Sequence, residues 1–74
     1  MLRFDAVVPA RNIPGSYALY SKVVDGQGKT VAMWKTTFDE VGQIMHVKPK
    51  FPANLAWEDL FIKGYMDVPP PMEG

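Results

Sequence analysis

Between positions 16 and 48 the apolar residues are mostly aromatic or β-branched. They fall into three runs, 16–24, 29–38 and 43–48. Two polar turns break the runs, and both read Asp-x-x-Gly: Asp25-Gly26-Gln27-Gly28 and Asp39-Glu40-Val41-Gly42. Aspartate at the first position of a type I turn caps the backbone. Glycine at the fourth accepts the left-handed conformation that closes a three-residue hairpin with a bulge. The pattern predicts two linked hairpins, a three-stranded antiparallel meander. Further on, Leu55, Trp57, Leu60, Phe61, Ile62 and Met66 follow Asn54, a candidate N-cap. Glu58 and Asp59 come early and Gly64 stops the run, so a short helix is expected over 55–63. The fold class is α+β, mainly β, with the helix packed on one face of the meander.

The flanks carry less pattern. Residues 1–8 alternate loosely, as a short strand or an arm, and 1–15 is treated as an extended N-terminal arm. Pro9 and Pro14 push their predecessors away from helical geometry. The tail, 67–74, holds Pro69, Pro70 and Pro71 and is expected to be polyproline-like or frayed. At 74 residues the chain is a single small domain.

A three-residue loop pairs Asp25 with Lys29 and Asp39 with Gln43. Continued without interruption, this register sets Tyr20 opposite Trp34, Lys22 opposite Ala32, Thr36 opposite His46 and Trp34 opposite Lys48. One face then carries Leu19, Val23, Val31, Met33, Met45 and Val47 and should lie under the helix, with Trp57 and Phe61 in the core. Lys35 also falls on that face and must reach outward along its aliphatic stem. The other face carries Tyr20, Lys22, Trp34, Thr36, His46 and Lys48, an aromatic and basic surface rather than a merely polar one. A one-residue slip would exchange the two faces.

Charge changes this picture only locally. Eight basic and eight acidic residues cancel, so no global attraction to nucleic acid is expected. Five of the cations lie between Lys22 and Lys50, on strands and turns, whereas the acids of that stretch, Asp25, Asp39 and Glu40, are all at turns. No apolar run approaches the roughly 20 residues of a membrane span, and no membrane partner is expected. There is no cysteine, so neither a disulfide nor a thiolate metal site supplements a small core.

The candidate chemistry is spare. His46 is the only histidine and the default acid or base near neutrality, with Thr36 as its expected neighbour. The plainer reading is a solvent-facing strand histidine. Lys22, Lys35 and Lys48 suit phosphate binding, or simply protect strands from edge pairing. Tyr20 and Trp34 could stack bases, or serve as an ordinary cross-strand pair. The two turn aspartates are explained by turn chemistry, and no metal site or cofactor is expected.

The stretch Pro14-Gly15-Ser16-Tyr17-Ala18-Leu19-Tyr20, with Lys22, Asp25, Gly28, Thr30, Lys35-Thr36-Thr37, Asp39, Gly42 and His46-Val47-Lys48, resembles the C-terminal toxin modules of bacterial polymorphic toxins of the Rhs and contact-dependent inhibition type. The resemblance covers about residues 12–50. It implies a metal-independent ribonuclease or RNA-binding module on the sheet face. His46 would serve as base or acid, Lys48 and Lys22 would hold the phosphate, and Tyr20 and Trp34 would stack the bases. It further implies a cognate immunity protein and a cytoplasmic site of action after delivery within a larger secreted chain. Two other readings compete: a non-catalytic adaptor domain of bacterial or phage origin using the same face, and a fragment whose edges are completed by homo-oligomerisation.

Overall fold

A computed structural model of the chain describes residues 1–9 and 14–71. Residues 10–13 of the segment expected as an arm, and residues 72–74 of the expected proline-rich tail, lie outside the described residues. The architecture is one open antiparallel sheet of four strands, not three: β1 (Leu2–Pro9), β2 (Tyr17–Val24), β3 (Thr30–Phe38) and β4 (Ile44–Phe51), in spatial order β1-β2-β3-β4. The added strand is the segment expected as an arm. Its loose alternation is a full eight-residue strand paired with β2 from Leu2↔Val24 to Pro9↔Tyr17.

Both hairpin turns form as their sequences dictate. The Asp25 carboxylate accepts from the Gln27 and Lys29 amides at 2.8 and 2.9 Å. Asp39 repeats the arrangement with Val41 and Gln43 at 3.0 and 2.9 Å. Gly28 and Gly42 close the turns with φ of 81° and 85°, where a side chain would be strained. The first pairs beyond each turn, Val24↔Thr30 and Phe38↔Ile44, keep the expected register.

One residue further on, the expected register fails in both hairpins. Val31 is an extra residue opposite β2, so Ala32 meets Val23 and Trp34 meets Ser21. Met45 is an extra residue opposite β3, so Thr37, not Thr36, meets His46, and Lys35 meets Lys48. A third irregularity sets Lys50 out of register between Trp34↔Pro49 and Met33↔Phe51. Each bulge changes the parity of the strand beyond it and exchanges its faces. Trp34 and Thr36 therefore turn inward, and Met33 and Lys35 turn outward. Burial explains the choice. A Trp side chain removes on the order of 150–250 Å² from water, worth about 4–6 kcal/mol. A ladder bond lost at a bulge costs only about 1 kcal/mol.

The core is Val23, Ala32, Trp34, Leu55 and Leu60, with Val47, Tyr65 and Met66 packed against it. Trp34 and Leu60 are 1% and 0% exposed. The Tyr65 ring stacks on Trp34 with centroids 5.9 Å apart, and the Arg3 guanidinium lies 5.3 Å from the indole centroid. Leu60 belongs to α1 (Trp57–Ile62), which is shorter than expected and starts from Ala56 rather than Asn54. The Asp59 carboxylate accepts from the Ala56 amide at 2.9 Å, so the first turn is held from within. At the far end Gly64 donates to the Phe61 carbonyl and Tyr65 to the Leu60 carbonyl. These two bonds make a Schellman stop with Gly64 at φ 81°. That stop folds Tyr65 back onto Trp34. The described part of the tail is also anchored, because the Trp57 indole donates to the Val68 carbonyl at 2.7 Å. Trp57 is half-buried, whereas Phe61, expected in the core, faces solvent at 40% exposure.

Candidate functional site: the open face of the sheet

The helix and tail cover one face only. With a smallest dimension of 19 Å, the molecule has room for a sheet and a single covering layer, so the other face meets solvent. Along β2 and β3 the pairs on the covered face are Tyr17↔Phe38, Leu19↔Thr36, Ser21↔Trp34 and Val23↔Ala32. The open face carries the alternate residues: Phe4 and Ala6 on β1, Tyr20 and Lys22 on β2, Met33, Lys35 and Thr37 on β3, and His46, Lys48 and Phe51 on β4.

Of the seven residues expected at the site, five meet on this face. Tyr20, Lys22, His46 and Lys48 are where the alternation puts them, and all are exposed. Lys35 joins them because the bulge turns it out of the covered face. Its ammonium sits 6.0 Å from the Tyr20 ring centroid, within the range of a cation–π contact. Two do not belong. Trp34 is core, stacked on Tyr65, and is unavailable to a base. Thr36, the expected neighbour of His46, is 2% exposed on the covered side, and Thr37 takes its place across from His46. Among the described residues no side chain is hydrogen-bonded to His46.

Five contributors escape the sequence reading: Phe4, Ala6, Met33, Lys50 and Phe51. Phe4 and Phe51 are exposed at 55% and 49%, and they extend the aromatic character of the face to both sides of Tyr20. Phe4, Ala6, Tyr20, Lys22, Met33 and Lys50 line a shallow cleft of about 190 Å³. Roughly 300–1,000 Å³ is usual for a small-molecule pocket, so the cleft suits part of a longer ligand lying across the strands. Phe4 could be found only once residues 1–8 are taken as a paired strand. Nothing in the local sequence signals that Lys50 lines the cleft, because its position depends on the third bulge.

The two sides of the sheet differ in charge: the covered side sets Arg3 among several acids, whereas the open face is basic. Among the strand residues Asp5 is the one acid, and it lies on the covered side, opposite Ser21. Glu58 and Asp59 occupy the first turn of the covering helix, and Asp67 follows it. The open face holds Lys22, Lys35, Lys48 and His46 with no carboxylate among its strand positions. A chain of zero net charge thus presents one basic, aromatic surface. No protein-family model matches the chain, and no curated protein or solved structure is significantly similar to it.

Proposed function

We propose that the open face binds single-stranded nucleic acid, RNA in the first place. The observation that carries this reading is the segregation just described. Three lysines stand beside Tyr20, Phe4 and Phe51, and no strand carboxylate opposes a phosphate. Flat antiparallel sheets with exposed aromatics accept unstacked bases on the rings, and lysines follow the backbone between them. The Lys35 contact with Tyr20 holds a cation beside a stacking ring, so base and phosphate would be met together.

Among the described residues no side chain orients His46 beside Lys48, and this favours binding over cleavage as the primary activity. A ribonuclease of the polymorphic-toxin kind is the narrower form of the same proposal. In it His46 takes the 2′-hydroxyl proton or protonates the leaving oxygen, and the lysines hold the phosphate. An immunity protein would then cover the open face.

The test is fluorescence anisotropy of labelled single-stranded RNA and of its duplex, titrated across a salt series, with RNA integrity read from the same samples. Binding to the single strand is expected, with log K falling against log salt at a slope of about −2 for three phosphate contacts. Equal affinity for the duplex, or no binding at low salt, overturns the proposal. Cleavage lost in His46→Ala would establish the narrower form, and intact RNA would leave a binding module.

A further inference from the structure

Among the described residues the sheet has two unpaired edges, β1 and β4, and they are built differently. The β4 edge is blunted by Lys48, Pro49 and Lys50 and by two bulges in its pairing with β3. These are the devices that keep a strand from recruiting another. The β1 edge has almost none of them. Its eight residues pair with β2 without a register shift, its one proline is the last residue, and every position is exposed. Leu2, Phe4 and Val7 are among the larger exposed apolar side chains.

Charge along β1 selects a partner. Arg3 and Asp5 are its only charged residues, two apart on one side of the strand. The Arg3 Nε donates to one Asp5 oxygen at 3.2 Å and one Nη donates to the Tyr65 carbonyl at 2.7 Å. The other Nη and the other Asp5 oxygen have no partner among the described residues. A strand carrying its own cation and anion at this spacing is complementary to itself.

We propose that β1 is a homodimer edge: two copies pair β1 antiparallel about a two-fold axis at Phe4, so that Arg3 of each faces Asp5 of the other. A two-fold perpendicular to the sheet brings like faces together, and the axis must then pass through a residue. At Phe4 it gives two Arg3–Asp5 pairs, two Leu2–Ala6 pairs and a Phe4–Phe4 contact, each favourable across strands. At Asp5 it opposes two carboxylates, at Arg3 two guanidinium groups, and at Ala6 it sets Asp5 against Val7. Only the first register satisfies the charges. The product is an eight-stranded sheet whose open faces are continuous, with the two clefts beside Phe4 meeting at the axis. The dimer stands without the nucleic-acid reading, although it doubles the surface that reading uses.

The chain lacks cysteine, so the register can be read directly. Sedimentation equilibrium of the wild type should show a monomer–dimer equilibrium. Under mild oxidation Phe4→Cys should form a covalent dimer, because cross-strand neighbours are within disulfide reach. Leu2→Cys and Ala6→Cys should each cross-link poorly alone and readily when mixed. Arg3→Asp should weaken the dimer at least about tenfold by opposing two carboxylates, and Arg3→Asp with Asp5→Arg should restore it. Circular dichroism checks that each variant is folded. Should Arg3→Asp fail to fold through loss of the Tyr65 contact, the cysteine series decides alone. A wild type monomeric at every concentration overturns the proposal, as does faster self-linking of Ala6→Cys than of Phe4→Cys.

Discussion

The two faces of this sheet are made from neighbouring residues of the same strands and answer opposite demands. On β3, Ala32, Trp34 and Thr36 are sealed beneath the helix and tail, whereas Met33, Lys35 and Thr37 between them look outward. Nothing in composition separates the two sets, since each mixes apolar with polar members. What separates them is parity, and parity is set by single inserted residues next to the turns. Val31 and Met45 thus decide which aromatic ring becomes core and which cation becomes surface. In a small sheet the position of a bulge is a functional variable as much as a structural one.

The two faces should differ most in how the protein responds to loss of Tyr20 and of Trp34. As a simple cross-strand pair on one face, they would respond similarly to truncation. The structure predicts a wide split. Trp34→Ala removes the central core side chain and its stacking on Tyr65, and should cost about 3–5 kcal/mol. For a domain of this size that is most of its stability, so urea unfolding should show a population unfolded before denaturant is added. Tyr20→Ala should shift the urea midpoint little, as surface changes do. If the open face stacks bases, the same change should weaken RNA binding by about 1–3 kcal/mol. Equal destabilisation by the two variants would mean that the bulge at Val31 is misplaced.

The next test sharpens the electrostatic side. Replacing Lys22, Lys35 and Lys48 together by glutamate should abolish RNA binding at moderate salt and leave the thermal midpoint nearly unchanged. The lysines are surface groups with no ion pair among the described residues. Each single Lys→Ala should lower the salt slope by about 0.7. A triple variant that binds as well as the wild type would remove the nucleic-acid reading and leave a protein-binding face.

Much of the fold was legible because its signals are local. The Asp-x-x-Gly turns state their own geometry, and Gly64 states where the helix ends. The bulges were not legible, because Thr30-Val31 and Ile44-Met45 contain no glycine or proline to mark them. Their cause is remote: the indole of Trp34 is worth more under Leu60 and Tyr65 than in water. The same remoteness hid β1, whose loose alternation becomes a strand only because β2 offers an edge. For the site, Tyr20 and Lys22 lie on β2, opposite the strand that bulges at Val31, and His46 and Lys48 follow the bulge at Met45 on β4. They kept a common face because the two slips on either side of β3 act in the same sense. Trp34, Thr36 and Lys35 lie on β3 itself and were exchanged.

Smaller effects test how the covering layer is held in place. Gly64→Ala meets no neighbouring atom, since open space surrounds the added methyl group. Its cost is the left-handed backbone alone, about 1–2 kcal/mol. Chemical denaturation should register that loss while the far-UV spectrum stays unchanged. A neutral result would mean that the Schellman stop, and with it the return of Tyr65 onto Trp34, is not what fixes the layer.

The smallest expected effect is also the one that runs against the usual direction. Ser21 and Trp34 face each other across β2 and β3, both 1% exposed. Among the described residues, neither the Ser21 hydroxyl nor the Trp34 indole nitrogen has a hydrogen-bond partner. A buried hydroxyl left unpaired costs about 1–3 kcal/mol in desolvation. Ser21→Ala removes that hydroxyl while keeping the Cβ that packs on the indole, and it leaves a void no larger than one oxygen atom. Stability should therefore rise by up to about 1 kcal/mol, read as a higher urea midpoint at an unchanged slope. A water held between the two groups would reverse the sign, because Ser21→Ala would then leave that water and the indole nitrogen short of a partner. A loss of stability in Ser21→Ala alone would show that the hydroxyl is satisfied, most simply by such a water, and that the covered face is wetter at its centre than its side chains suggest.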